Sequence, residues 1–421
     1  MIIVYVIFCI LILISGFLFY ENFFNPICLY TIVWIIAVTI HESDLIVYYD
    51  FHIFTWIVIL VSHVLFVLGC VVAKLFYHTE VFSILSNNEH EQKVYLHRAI
   101  FLCLVVSGFA IVANLKMMIE IYGFNLFENL MVIYQDRLEN DLRTELIPYL
   151  SSFLFIALPL IGIDMKKNGF SIFVVIGLFF ACANSLTSGG RAGVIFSLIL
   201  FYSAYKCSTP TFDSLKRLSL TNGKKTAVVI ICVVALVSMV VAVSQQRSAG
   251  VGLDYATEEY TEIFGENVPL YKGLVYLASP VAVLNEYLQD CDFEFGKNTF
   301  VSLYNILAKF GVCQKVSPYQ SYYSTPSSCN VGTWVRELVE DFTLPGAIFL
   351  VSLFGFLSST FYYNAHGSPN VTYKVVWSIF SLVITLSFFD WKFRTSNLWI
   401  ALFLGIIIGC YIDRKTKRGK K

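Results

Sequence analysis

Residues 53–76 read IFTWIVILVSHVLFVLGCVVAKLF, and the first charged side chain among them is Lys74. An apolar run of that length matches the roughly 20 residues that carry a helix across a bilayer. Composition extends the point to the whole chain: 57% of 421 residues are hydrophobic, 14% are charged, and the mean hydropathy is +0.71. No soluble domain of this size needs so much apolar material, so the bilayer is the solvent. Lipid offers no partners to backbone N–H and C=O groups, which restricts spanning structures to helices and closed barrels. The runs are near-continuous rather than alternating, which selects helices.

Outward from that stretch, the apolar runs are Ile2–Phe19, Ile27–Ile40, Ile53–Phe76, Ala99–Ile121, Ile147–Ile163, Phe170–Ser185, Ala192–Tyr205, Thr226–Val243, Leu344–Tyr363, Val371–Phe389 and Asn397–Tyr411. The second and seventh are short for a crossing. The expectation is an all-α polytopic membrane protein of about eleven spans, interrupted by one long polar stretch. The first run has no basic residues before it and no small-residue cleavage site after it, so it reads as a span rather than a signal peptide. Three divisions follow: 1–243 with eight spans, 244–342 as a large extramembrane loop, and 343–421 with three spans and a basic tail.

Lysine and arginine set the orientation. The tail after Tyr411 carries Arg414, Lys415, Lys417, Arg418, Lys420 and Lys421, which places it in the cytoplasm and the long loop outside. Lysine then dominates the inner side, with 13 Lys to 4 Arg, whereas six of the ten arginines fall outside. These are Arg137, Arg143, Arg191, Arg247, Arg336 and Arg394. Arginine grips phosphate with a planar two-pronged fork that lysine lacks. Their concentration suggests a phosphorylated partner at the outer face; the plainer reading is that they flank helices and snorkel to headgroups. Most of the eleven cysteines lie in or beside apolar runs, but Cys291, Cys313 and Cys329 fall in the long loop. An oxidising compartment would allow one pair of those three to bridge.

The loop at 122–146 mixes charges at helical spacing, which predicts a short surface helix or a solvated connector. Within the long loop, Tyr255–Glu266 is acidic and reads as exposed. Leu270–Leu288 and Thr299–Phe310 are amphipathic, with Pro280 expected to break the first. Both fit helices lying on or dipping into the membrane. In the ordered loop Ser317–Ser328, Tyr319, Tyr322 and Tyr323 offer faces for sugar rings, although tyrosine is also common at membrane interfaces. The richest stretch is NVGTWVRELVEDFTLPG, residues 330–346. Asn330 or Thr333 can cap a short helix that puts Glu337 and Asp341 on one face and Arg336 and Glu340 on another. Thr343 followed by Pro345 then reads as a second helix start, while ordinary salt bridging at a helix end is the plainer account of the charges. A second motif, TSGGRAG at Thr187–Gly193, offers Gly189, Gly190 and Arg191 as an anion-binding turn before the seventh span.

Together the two motifs resemble the Wzy-type oligosaccharide repeat-unit (O-antigen) polymerases of Gram-negative inner membranes. That family carries a turn like SGGRAG ahead of a spanning helix. Near the end of its periplasmic loop it has an N-x-x-T segment, aromatic and charged residues, and a D-F-G-x-x-G step into the next helix. Here these read Asn330, Thr333, Trp334, Arg336, Asp341, Phe342 and Gly346, with Thr343 where the family has glycine. The resemblance implies a helical polyprenyl-donor glycosyltransferase that moves a growing glycan from undecaprenyl pyrophosphate onto a new lipid-linked repeat unit. A separate chain-length regulator is implied as partner, and neither nucleic acid nor a cofactor is expected.

In that chemistry, Arg191, Arg247 and Arg336, with Gly189 and Gly190, would bind the pyrophosphate, where leaving-group charge grows. Glu337 and Asp341, with Glu340 as alternative, would orient or deprotonate the acceptor hydroxyl. Tyr319, Tyr322, Tyr323 and Trp334 would contact sugars. No metal is expected, since neither histidine nor a thiol cluster accompanies the outer carboxylates. An O-antigen ligase is the nearest rival, but ligases carry a histidine motif in this loop and all seven histidines lie elsewhere. A flippase or other carrier should show internal repeats and mid-membrane charges. Lys116 and Glu120, four apart, sit toward the outer end of a span, where they can pair. A non-catalytic component of an assembly complex is the remaining alternative.

Overall fold

The computed structural model describes residues 1–77, 89–126, 128–139, 145–147, 149–187, 192–208, 252–317 and 319–418. Among them are fourteen α-helices. In chain order these are α1 (Ile2–Tyr20), α2 (Pro26–His41), α3 (Ile53–Phe76), α4 (Glu89–Tyr122), α5 (Leu130–Glu139), α6 (Ser152–Asn168), α7 (Ile172–Thr187) and α8 (Ala192–Lys206). There follow α9 (Glu258–Phe264), α10 (Val268–Tyr287), α11 (Val301–Lys309), α12 (Trp334–Gly367), α13 (Val371–Thr385) and α14 (Ser396–Arg418). A two-stranded antiparallel hairpin pairs β1 (Tyr323–Ser324) with β2 (Ser328–Cys329). Five helices are long and apolar enough to cross a membrane, within α1, α3, α4, α12 and α14. The architecture is that of an all-α membrane protein.

Ten of the eleven apolar runs coincide with helices; the eighth, Thr226–Val243, lies outside the described residues. α2, α7, α8 and α13 are apolar but shorter than the five. The fifth run begins late, at Ser152, because Tyr149 takes a positive φ of 71°. Glu145 holds that corner, accepting from Tyr149 N at 2.9 Å and from the Ser151 hydroxyl. The loop at 122–146 does contain a surface helix, α5. Lys116 and Glu120 pair at 3.7 Å on exposed side chains.

The chain divides into two compact units, each drawn from separate stretches. The first comprises Met1–His78, Gly250–Thr360 and Val383–Ser396. The long polar stretch is therefore not a body of its own: it packs with the first three helices. α10 explains why, since Ala278 through Asn285 are all buried, so the second half of the helix is covered on every side. The expectation that this segment rests on a membrane surface is corrected accordingly. Pro280 lies inside the helix without ending it. Asn285 secures it, its Oδ1 accepting from His52 N at 2.9 Å and Thr55 Oγ1 at 2.7 Å at the start of α3.

In the same unit α3 crosses the part of α12 up to Thr360 at very close range. A Cβ on Gly69 would stand 2.0 Å from the Ser352 carbonyl oxygen, and one on Gly355 would stand 2.3 Å from that of Phe66. Cys70 and Ser359 add hydrogen bonds across the crossing, at 3.3 and 3.1 Å. Lipid gives helices no hydrophobic reason to associate, so small residues that let backbones touch are the usual means.

The second unit comprises Thr79–Ala249, Phe361–Leu382 and Asn397–Lys421. α6 is its core: Ile156 through Asp164 are buried, with α4, α7 and α8 around it. Three buried charges among its described residues are engaged. Asp164 accepts from His97 Nε2 at 2.8 Å and Asn168 Nδ2 at 2.7 Å. Asp413 caps the start of α13, accepting from Val371 N at 2.8 Å and Thr372 Oγ1 at 2.6 Å. Lys374 donates to the carbonyls of Cys207 and Ala365, both at 3.1 Å.

The glycine crossing makes a direct prediction. Gly69→Ala should cost about 1–3 kcal/mol through overpacking, whereas Gly273→Ala, where nothing lies within 4 Å of an added Cβ, should not. Thermal unfolding of the purified protein in detergent compares the two; equal stability would remove the tight crossing.

Candidate functional site

The site grows from the segment 330–346 in the first unit. Thr333 caps α12, its Oγ1 accepting from Arg336 N at 3.2 Å, and Trp334 N donates to the Ser387 carbonyl at 2.9 Å. The helix is interrupted at Thr343, whose φ of 61° and ψ of 171° are non-helical. The spanning part is then 344–367, which at about 1.5 Å per residue covers a hydrocarbon core of roughly 30 Å by itself. Residues 334–342 form a charged turn of helix before it.

Asp341 and Phe342 build the joint. Asp341 is fully buried, and its carboxylate receives four donors: Asn298 N at 2.7 Å and Asn298 Nδ2 at 3.2 Å on Oδ1, Thr299 N at 2.7 Å and Thr299 Oγ1 at 2.6 Å on Oδ2. Backbone bonds from Glu294 N to Glu340 O and from Gly296 N to Asp341 O, at 2.8 and 3.1 Å, complete the strap. With its acceptor capacity so occupied, Asp341 holds structure rather than offering a base. Phe342 folds against Gly346, where an added Cβ would lie 2.7 Å from the Phe342 Cβ.

Arg336 and Glu337, about 100° apart around the helix, face different surroundings. Arg336, 1% exposed, spreads its guanidinium over the rings of Tyr323 and Tyr287, with centroids at 4.9 and 5.5 Å. Its NH1 donates to Gln320 Oε1 at 2.7 Å, and its NH2 faces Glu340 Oε2 at 3.6 Å, as the four-residue spacing predicted. Any phosphate reaching this fork therefore competes with Glu340. Glu337, also fully buried, has Arg394 NH1 at 3.7 Å and the Trp391 backbone N–H directed at its carboxyl. Burial pushes its carboxyl up to about 8, with Arg394 opposing and Asp390 reinforcing the rise.

Arg394, in the sequence only one of six outer arginines, ties the site together. Its NH1 donates to Asn298 Oδ1 at 2.6 Å and its NH2 to the Ser317 carbonyl at 3.2 Å. Close by in sequence, Lys392 Nζ donates to Asp390 Oδ2 at 2.7 Å. The available signal was the stretch DWKFR, Asp390–Arg394, alternating charge and aromatic residues between two apolar runs.

The remaining candidates separate. Trp334 is wholly buried among Tyr30, Phe66, Phe354 and Trp391, with centroids 5.4 to 6.1 Å away, so no sugar can stack on it. That expectation is corrected: an indole at the inner face of a capped helix goes to the core. Tyr323 spends one face on Arg336, Tyr322 is 61% exposed, and Tyr319 N bonds Ser317 Oγ at 3.1 Å. Cys291, Cys313 and Cys329 are all free thiols, so the anticipated bridge is not formed. Gly189, Gly190, Arg191 and Arg247 lie outside the described residues; α7 ends at Thr187 and α8 begins at Ala192. No group of three histidine, cysteine, aspartate or glutamate side chains among the described residues is placed to hold a metal. No family model matches the chain, and no curated protein or solved structure is detectably similar to it.

Two stability predictions follow from the geometry. Thr343 occupies a backbone region that is essentially reserved for glycine and costs of order 1–3 kcal/mol for other residues. Thr343→Gly should therefore raise thermal stability despite glycine's greater freedom when unfolded; a lower melting temperature would contradict the strain. Glu337 binds its proton more tightly folded than unfolded. Its contribution is full below the ordinary value of 4.5 and is lost as pH rises through about 8. Glu337→Gln should remove that decline, so the melting temperatures of variant and wild type should diverge from pH 5 to pH 9, the variant ending higher. Parallel curves would show that the carboxyl is not perturbed.

Proposed function

We propose that the protein is an oligosaccharide repeat-unit polymerase of the inner membrane, with its long loop in the periplasm and its C-terminus in the cytoplasm. It moves a growing glycan from undecaprenyl pyrophosphate onto the acceptor hydroxyl of a new lipid-linked unit. The observation that carries the reading is Thr343. The resembling family has glycine at that step, and this chain takes a glycine-type backbone conformation there even with threonine in place. The neighbouring motif residues support it: Asp341 straps the loop, Phe342 packs on Gly346, and Thr333 caps the charged turn.

Within this reading the roles divide by what each group has left to offer. Glu337 takes the proton from the acceptor hydroxyl. It does so as the carboxylate: burial raises its proton affinity, so its ionised form is a stronger base than an ordinary carboxylate, and the acceptor hydroxyl donates to it. Glu340 balances Arg336 in the resting protein. Arg336 stabilises the charge that develops on the departing pyrophosphate; Arg191 and Arg247, named with it from the sequence, lie outside the described residues. Arg394 keeps Glu337 in place. Tyr322 and Tyr319 remain as sugar contacts, and a chain-length regulator remains the expected partner.

The test is the polysaccharide ladder from a strain lacking the chain and supplied with variants. The deletion should leave the core-plus-one-unit band and lose the long ladder. Arg336→Lys keeps the charge but not the fork, and should cut long-chain product by at least about tenfold, the rate change equivalent to 1.4 kcal/mol. A full ladder in the deletion strain would exclude polymerase activity. Loss of every band with glycan stranded on its lipid would point to a ligase or a flippase.

A further inference from the structure

Outside the charged turn, the largest unexplained feature of the first unit is an exposed apolar surface on α11 and the segments flanking it. Leu303 and Ile306 are each 52% exposed, Phe310 is 77% exposed and Val312 68%, with Phe295 at 64% on the preceding loop. Positions 303, 306 and 310 share one side of a helix. The opposite side is anchored: Val301 is buried, and Asn305 Oδ1 accepts from Val316 N at 2.9 Å. A soluble surface rarely carries so much contiguous apolar area without a partner.

Position says what the partner is. The strap from 294 to 299 is bonded to Glu340 and Asp341, immediately before the spanning part of α12 begins at 344. Ser302 on α11 is hydrogen-bonded to Ser396, the last residue of the first unit. The Phe342 ring, at the break itself, packs edge-on against Phe295 and Phe300, with centroids at 5.9 and 6.4 Å. α11 is thus pinned beside the start of the spanning part of α12. We infer that α11 and its flanking loops form an in-plane anchor, with Phe295, Leu303, Ile306, Phe310 and Val312 seated among lipid acyl chains. The exposed Lys309 at its end suits the headgroup layer. This inference requires only that the chain spans a membrane, and stands whether or not the protein is a polymerase.

Photocrosslinking in the full-length protein tests it. The analogue p-benzoylphenylalanine is placed at Phe310, at Phe349, which is 65% exposed in the spanning part of α12, and at Tyr322. Tyr322 adjoins the ring stacked on Arg336, seven residues and about 10 Å of helix rise before the break. The protein is reconstituted in phosphatidylethanolamine and phosphatidylglycerol vesicles, irradiated and analysed by peptide mass. Phe310 should give acyl-chain adducts comparable to those at Phe349, and at least about tenfold above those at Tyr322, as expected for an aromatic side chain in an apolar phase. Lipid adducts at Phe349 with none at Phe310 would overturn the anchor. So would a dominant crosslink from Phe310 to a second copy of the chain, or to another protein when the irradiation is repeated in native membranes, since the face would then be a protein interface.

Discussion

Four hydrogen bonds converge on the carboxylate of Asp341, and the arrangement of the first unit follows from them. They fix the backbone of Asn298 and Thr299 against the last turn before a membrane helix. In doing so they orient α11, bring Asn298 within reach of Arg394, and leave Trp391 Nε1 to share Thr299 Oγ1 at 3.0 Å. A buried carboxylate is costly unless it is fully bonded, and bonded this completely it becomes a rigid joint. The long polar stretch is thereby welded to the helices instead of hanging from them.

The break at Thr343 is the second half of that joint. It separates a charged helical turn from an apolar spanning segment and lets the two meet at an angle that a continuous helix would forbid. Such residues in sparsely populated backbone regions persist only where their surroundings over-determine them. Here the surroundings are the Asp341 strap on one side and the Phe342–Gly346 contact on the other. Upstream of the break, consecutive residues Arg336 and Glu337 point to different sides, and each finds a charge from another part of the chain or turn. The two differ in their partners: Arg336 is flanked by Gln320, Glu340 and two aromatic rings, while Glu337 faces Arg394, with Asp390 and the Trp391 backbone also close.

Much of the architecture was legible in the sequence because hydropathy in a membrane protein is a nearly one-dimensional signal. Every apolar run that falls on described residues is a helix, and the cap at Thr333, the Arg336–Glu340 pairing and the restart after Thr343 were all readable from local spacing. Local spacing also misled. α10 has the polar content of a surface helix, but its polar groups are consumed by tertiary partners such as His52 and Thr55, so it is buried. Trp334 had the profile of a binding aromatic and lies in the core. Asp341 looked as free as Glu337 from their shared spacing, because a four-residue interval says nothing of what lies forty residues upstream.

The sequence by itself determined which segments are helices, where the membrane-compatible ones lie, and which short stretch gathers charge. These depend on side-chain polarity counted along the chain, and solvent enforces them locally. Only the tertiary structure decided which carboxylate is saturated and which is not, that Arg394 is the partner of Glu337, and that α11 presents an uncovered apolar side. Those outcomes rest on contacts between residues far apart in sequence, where a few ångströms separate a hydrogen bond from an orphaned charge.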